Sequence, residues 1–186
     1  MRSNQGFSLV ELTLTLVMLG ILIALSLPNL TSLRKQNEVS IMQKTLILHV
    51  NLAKSSAANS GQIVTLCPSI NGSECAGSWT QGSMLFIDKN ANRRVDPEDR
   101  ILRVRSQDIS HGELEWRAFG RRQYLQFNPI GYLLHQNGNF TYCDNSGDPT
   151  LTRQLVVNSV GRVRIALDND GDDIREDSRG RAIRCS

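Results

Sequence analysis

Apolar positions divide the chain into three regions with different periodicity. Residues 7–30 form an almost unbroken apolar run, FSLVELTLTLVMLGILIALSLPNL, and about 20 such residues can span a bilayer. Between residues 31 and 60 the apolar positions recur every three or four residues, as on one face of an α-helix. From residue 61 to residue 186 the period is two, in short stretches between turn residues. The pattern predicts a long N-terminal helix followed by a β domain.

The second half of the predicted helix carries one apolar stripe, whose members stand three or four residues apart. They are Val39, Met42, Leu46, Val50, Ala53 and Ala57. Other residues widen the stripe, namely Ile41, Thr45, Leu48 and Leu52. We therefore expect this half of the helix to lie against a sheet. The sequence Asn59-Ser60-Gly61 then ends the helix.

Eight short stretches of the remaining chain alternate between apolar and polar residues and are bounded by turn residues. The predicted strands are Ile63–Cys67, Ser83–Asp88, Ile101–Arg105, Glu113–Phe119, Tyr124–Phe127, Phe140–Cys143, Gln154–Val157 and Arg162–Leu167. The three aromatic residues Trp79, Trp116 and Phe119 are expected to fill the core of the sheet. A long helix followed by short antiparallel strands indicates an α+β fold.

Charge and cysteine content narrow the class of protein. The formal net charge of +3 is too small by itself to indicate nucleic-acid binding. The four cysteines form no CxxC pair, which argues against zinc, and their even number indicates two disulfides made in an oxidising compartment. The short spacing from Cys67 to Cys75 favours one bridge and leaves Cys143 with Cys185. Spacing alone leaves the other pairings open.

One carboxylate, Glu11, interrupts the apolar run near its start. At membrane depth such a charge costs roughly 2.5–3.5 kcal/mol and suggests a function. A secretory signal peptide would need a small-residue cleavage site behind the run, and Pro28 and Asn29 stand there instead. A plain membrane anchor explains the length of the run and leaves Glu11 unexplained.

The string GFSLVE at residues 6–11, preceded by the basic Arg2, resembles the processing site of type IV prepilins and type II secretion pseudopilins. The resemblance implies that residues 1–6 are a leader. A prepilin peptidase would cleave between Gly6 and Phe7 and methylate the new N-terminus of Phe7.

The same resemblance gives roles to residues inside the apolar run. Glu11 would pair with the N-terminal amine of a neighbouring subunit during filament assembly. Gly20 and Pro28, both helix-weakening residues, would flank a stretch of helix that unwinds in the filament. Residues 7–30 would then be the membrane-spanning assembly helix and residues 31–60 its amphipathic continuation.

Four later features resemble one branch of these proteins, the GspH/FimT group. They are the CP…C loop at residues 67–75, the following Trp79…Gly82, FIDKNAN at residues 86–92 and GRVR at residues 161–164. The group contains minor pilins of type IV pili and the H-type minor pseudopilin of type II secretion. The resemblance implies a bacterial inner-membrane protein whose spine helix packs on a periplasmic antiparallel β domain at residues 61–186. It implies an assembly subunit rather than an enzyme.

The resemblance also implies the partners. These are other pilins or pseudopilins bound through the N-terminal helix, the prepilin peptidase, an inner-membrane assembly platform and the membrane itself. The two expected disulfides, the GRVR motif and the abundance of arginine favour a type IV pilus over type II secretion.

The GRVR motif also has a physical interpretation of its own. On a strand, Arg162 and Arg164 would lie on one face, about 7 Å apart, with Val163, Ile165 and Leu167 facing the core. Two guanidinium groups at this spacing can each contact a phosphate along a nucleic-acid backbone. In FimT-type minor pilins a GRxR motif is linked to DNA binding.

Double-stranded DNA is therefore a candidate partner, with Arg179, Arg181 and Arg184 as further contacts. The alternative is a solvated pair of arginines held by the acids of the tail. From Val160 to Ser186 six arginines accompany six carboxylates, so the tail has no net charge.

Two acidic stretches, Asp88–Asp99 and Asp168–Asp173, have oxygen-bearing side chains at spacings similar to those of a calcium loop. Arg93 stands where that loop needs glycine, and both stretches lack the glutamate of the twelfth position. Polar turns explain both stretches, and we expect no metal and no cofactor. The three histidines, His49, His111 and His135, stand in no recognisable motif with a Ser or Cys nucleophile, so no catalytic site is expected.

Overall fold

The computed structural model describes residue 6, residues 8–106 and residues 109–185, without the side chains of residues 24–31. One α-helix, α1 (Leu9–Ser60), precedes eight strands. They are β1 (Val64–Pro68), β2 (Gly82–Ile87), β3 (Arg100–Ser106), β4 (Gly112–Ala118), β5 (Leu125–Phe127), β6 (Gly138–Asp144), β7 (Arg153–Val157) and β8 (Val163–Ile165). Each corresponds to a predicted strand. The α+β class is confirmed.

The chain divides into two compact units, Met1–Asn37 and Glu38–Ser186. In the first unit the apolar side chains from Leu9 to Ile23 are each more than half exposed. Among the residues described, no helix has both the length and the apolarity that a membrane crossing requires. The backbone of α1 continues through Gly20 and Pro28 without a break.

In the second unit, the part of α1 from residue 38 onward buries one face. All six residues of the predicted stripe are buried, from Val39 to Ala57, each at most 5% exposed. The expectation is wrong for Ile41 and Leu48, which are 57% and 55% exposed. A single contact surface covers only about 100° of a helix, and these two residues lie outside that face. The helix ends before Gly61, whose φ is +63°.

The strands form two antiparallel sheets that share one core with α1. Sheet A has the order β3-β2-β1-β5 and sheet B the order β4-β6-β7-β8. Trp79 and Trp116 pack on either side of Phe140, with ring centroids 4.8 and 4.4 Å away. The expectation for Phe119 is wrong. Its side chain is 75% exposed, because β4 ends at Ala118 and the chain turns there.

Two of the outermost strands, β4 and β3, carry different groups along their open edges. In β4 the backbone N–H of Leu114 donates to Oγ1 of Thr80 at 2.9 Å, and that hydroxyl lies 3.5 Å from the Leu114 carbonyl. In β3 every second or third residue is an arginine, at positions 100, 103 and 105.

Candidate functional site

The residues of the expected processing and assembly site lie only partly within the described chain. Gly6 and Glu11 are exposed, and Glu11 stands in the first turn of α1. Phe7, residues 1–5 of the leader with Arg2 among them, and the side chain of Pro28 lie outside the described residues. A Cβ built on Gly20 would meet no atom within 4 Å, so packing within this chain does not require a glycine there.

Both disulfides have the pairing that the short Cys67–Cys75 spacing favoured. Cys67 and Cys75 close the loop that follows β1, with Cα atoms 5.5 Å apart. Cys143 in β6 is bonded to Cys185, with Cα atoms 5.8 Å apart, and so ties the C-terminal tail to sheet B.

The glycine of GRVR is required by the backbone. Gly161 has φ of +69°, and a Cβ at this position would come within 2.9 Å of Phe127. Its N–H donates to the carbonyl of Asn158 at 2.9 Å, while the Asn158 side chain accepts from the N–H of Arg162 at 2.8 Å. This tight turn delivers the chain to β8.

Both arginines of GRVR are exposed. Within the described part of the chain, the guanidinium groups of Arg162 and Arg164 form no ion pair and no hydrogen bond. The acids of the tail pair with other arginines, since Asp177 contacts Arg181 at 2.8 Å and Asp168 contacts Arg175 at 3.6 Å. Among the described residues, the acids of the tail therefore do not hold Arg162 and Arg164, as the alternative interpretation expected.

The alternation predicted for the last strand is wrong beyond Arg164. Ile165 and Leu167 are 39% and 61% exposed, whereas Ala166 is buried. The reason is that β8 ends at Ile165 and lies at the outer edge of sheet B, so neither side chain has a neighbouring strand to cover it.

The other candidate arginines lie on the C-terminal tail and are exposed. Arg181 is engaged by Asp177. Hydrogen bonds from the Arg181 guanidinium and from the backbone N–H groups of Arg179 and Arg181 lower the pKa of Asp177 to about 2. Arg179 and Arg184 have no ion pair among the described residues.

The first acidic stretch is a polar turn closed by its own hydrogen bonds. The Asp88 carboxylate is fully buried and accepts from the Thr65 hydroxyl, the Gln126 amide and the backbone N–H groups of Asn92 and Arg93. Its oxygens are therefore already occupied by donors of the protein. The stretch does not assemble a calcium site.

The second acidic stretch brings four carboxylates together. Oxygens of Asp168, Asp170, Asp172 and Glu176 all lie within 4.8 Å of one another and are of the type that ligates a divalent cation. The sequence pattern did not reveal Glu176 as a member of this cluster. A calcium loop carries its glutamate at the twelfth position, whereas Glu176 stands at the ninth position counted from Asp168. The loop is also closed without an ion, since Glu176 accepts two hydrogen bonds from Asn169.

One histidine is close to a hydroxyl. His49 Nδ1 lies 3.1 Å from Oγ of Ser83, and both side chains are at most 3% exposed. Burial and the nearby charges of Arg105 and Arg103 lower the pKa of His49 to about 4. The pair is sealed between α1 and β2, where no substrate has access, and its role is structural.

Comparison with known proteins agrees with this architecture. The profile of the family described as type II transport protein GspH matches residues 44–161, and that of the prokaryotic N-terminal methylation motif matches residues 1–27. The pilin-like protein PilA1 of Thermus thermophilus is 36% identical over 169 residues, which cover 88% of this chain and 99% of that protein.

The fold is similar to that of one solved minor pilin, and a second solved structure aligns more weakly. The type IV minor pilin FimU of Pseudomonas aeruginosa superposes with a TM-score of 0.55 at 18% identity, covering 69% of this chain and 88% of that one. The minor pseudopilin EpsH of Vibrio cholerae has a TM-score of 0.49 at 10% identity, covering 70% and 96%. The matches to the two family profiles and to PilA1 show that the chain belongs to the pilin and pseudopilin superfamily, in its GspH/FimT group, and is a minor pilin or minor pseudopilin.

Proposed function

We propose that this protein is a minor pilin of a type IV pilus, which primes or joins the filament through α1. The observation that carries the proposal is the GFSLVE string at residues 6–11, which leads into the first turn of a helix with an exposed apolar surface. The similarity to a pilin-like protein along 88% of the chain supports the pilus as the system.

In this function the prepilin peptidase removes residues 1–6 and methylates Phe7. The chain then stays in the inner membrane as a single-pass protein with its β domain in the periplasm, where the two disulfides form. Glu11 is held for the amine of a neighbouring Phe7, because a carboxylate in a helix bundle or in lipid needs a cation. The assembly platform then adds the subunit to the filament.

The alternative is the H-type minor pseudopilin of a type II secretion system. A strain lacking the gene distinguishes the two, when twitching and transformation are measured beside the secretion of exoproteins. We expect loss of twitching or transformation with normal secretion. Normal twitching and transformation with failed secretion would contradict the pilus and favour the alternative.

A second proposed function is DNA binding during natural transformation. It is supported by the exposed side chains of Arg162, directly before β8, and Arg164, within that outer strand. Their guanidinium groups have no partner among the described residues. Phosphate contacts of this kind add affinity without reading sequence. Arg179 and Arg184, also exposed, would extend the contact along the tail.

An electrophoretic shift assay on the full chain in detergent, repeated over a range of salt, tests this function. Replacing Arg162 and Arg164 by alanine should weaken binding and reduce the slope of log K against log salt by about 2. The matched control replaces two exposed arginines elsewhere, Arg94 and Arg100, and should leave both quantities nearly unchanged. Equal losses in the two double variants would show a general charge effect and refute the assignment.

A further inference from the structure

The C-terminal tail and the outer face of sheet B enclose a groove with a volume of about 540 Å³. Its lining combines apolar surface, including Ala182 and Ile183, with polar side chains that are mostly basic or neutral. Apart from one acid, the polar side chains are Arg117, Asn139, Thr141, Gln154, Arg181 and Arg184. The volume is within the range of small-ligand sites, about 300–1,000 Å³.

The floor of the groove follows from strand register. Thr141 pairs with Gln154 of β7, and Asn139 of β6 pairs with Arg117 of β4, so these side chains stand side by side on the outer face. The Gln154 amide donates to the Thr141 hydroxyl, which in turn donates to the Asn139 side-chain carbonyl, both at 3.2 Å. Within the described chain, the Asn139 amide nitrogen and the Gln154 carbonyl oxygen remain for a ligand.

The tail forms the wall and is fixed at several points. Cys185 is bonded to Cys143, and the side chain of Ile183 is buried against the sheet. Glu176 and Ala182 pair as a short antiparallel bridge, which Asp177 and Arg181 close at its turn. The wall is thus preorganised, which lowers the cost of binding.

The charges of the groove favour an anion. Its three arginines face one lining acid, Asp177, which holds Arg181. Arg117 pairs with Glu115 on the exposed surface, and Arg184 has no ion pair within the described residues. Exposed ion pairs of this kind contribute little to stability, so a ligand anion can displace them at little cost.

Arginine forks bind carboxylate or phosphate in two-point contacts, and amides and hydroxyls match the hydroxyls of a sugar. No aromatic side chain is among the described residues that line the groove, so it lacks the stacking surface of single-strand nucleic-acid sites. We propose that this groove binds an anionic saccharide, a sugar that carries carboxylate or phosphate groups. The proposal does not depend on whether the filament is a pilus or a pseudopilus.

Isothermal titration of the full chain in detergent tests the proposal with four probes: trigalacturonate, glucose 6-phosphate, neutral maltotriose and inorganic phosphate. We expect binding of one or both anionic sugars and none of maltotriose. The two anionic sugars distinguish a carboxylate from a phosphate ligand. Replacing Arg117 and Arg184 by alanine should weaken that binding at least tenfold, whereas Arg94→Ala with Arg100→Ala should leave it unchanged.

A second variant, Gln154→Ala, distinguishes recognition of the sugar hydroxyls from recognition of the charge. It should weaken the binding of the sugar and leave the binding of inorganic phosphate unaffected. Absence of heat with both anionic sugars would overturn the proposal. So would equal affinity for inorganic phosphate, which would indicate a plain anion site. A DNA duplex is the last competitor to test. The groove would be assigned to nucleic acid instead if the duplex displaced the sugar, bound more tightly than the sugar and lost affinity in the same arginine variant.

Discussion

Asp88 is fully buried, and its carboxylate accepts four hydrogen bonds from four different residues. A buried charge is tolerated only where such donors compensate for the lost water. At the residue scale, therefore, a polar side chain that resembles a ligand in the sequence can be a structural group. Gly161 is a similar case, since its positive φ and its contact with Phe127 account for the glycine of GRVR without any ligand.

The pH dependence of stability should reveal His49. Its pKa is about 4 in the folded chain, against 6.5 for a free histidine. As pH falls below about 6.5 the unfolded chain takes up a proton that the folded chain refuses until about pH 4. The free energy of unfolding should therefore decrease over this window, by roughly 2–3 kcal/mol in total.

Urea unfolding at several pH values, compared between the wild-type chain and His49→Gln, measures the contribution. Glutamine can still hydrogen-bond Ser83 and does not titrate. Above about pH 4.5, most of the difference between the two proteins in how the free energy of unfolding changes with pH should therefore come from ionisation of His49. Parallel curves for the two proteins would mean that His49 ionises in the folded state as it does in water.

At the scale of elements, two short segments depend on links to distant parts of the chain. The loop after β1 is held by a bridge between residues only 8 apart, while the tail is held to β6 by a bridge across 42 residues. Within its described residues the tail has only two buried apolar side chains, Ala166 and Ile183. It therefore depends more on its disulfide than the loop does.

Replacing each cysteine pair by serine should destabilise the chain unequally. On the chain-entropy relation, loss of the Cys67–Cys75 bridge should cost roughly 2–3 kcal/mol and loss of the Cys143–Cys185 bridge roughly 4 kcal/mol. Thermal and urea unfolding of the two double variants measure the order. A larger loss for the short loop would mean that native-state contacts, rather than the entropy of the unfolded chain, dominate.

At the scale of the whole molecule, the proposed function makes incorporation into the filament depend on the carboxylate of Glu11. Alanine at this position should leave cleavage and membrane insertion intact but reduce the amount of subunit in sheared filaments at least tenfold. An amine left unpaired in a buried site costs about 3–5 kcal/mol, which more than accounts for that loss.

The matched control is Thr13→Ala, which changes an exposed polar residue two positions away and keeps the carboxylate. Immunoblots of membranes and of sheared filaments measure the two steps separately. Normal incorporation of Glu11→Ala would reject the pairing, and a failure of cleavage would place the residue in processing instead.

Local periodicity was enough to predict α1, its buried stripe and all eight strands, because each depends on neighbours within a few residues. It failed at Phe119, Ile165 and Leu167, where an element ends and the alternation of faces ends with it. It also failed at Ile41 and Leu48, which lie beyond the buried face of α1. The groove was not predictable from the sequence. It forms only when a tail more than 20 residues beyond β7 returns across sheet B.

The hydroxyl of Thr80 beside Leu114 has a consequence for proteins that are crowded together. An outer strand with free N–H and C=O groups is a template on which another chain can add a strand and begin to aggregate. Thr80 occupies those groups in the middle of β4, and the three arginines of β3 repel a second copy of the same strand. The edges at β4 and β3 therefore resist pairing with a sheet of another copy when many copies of the β domain stand side by side.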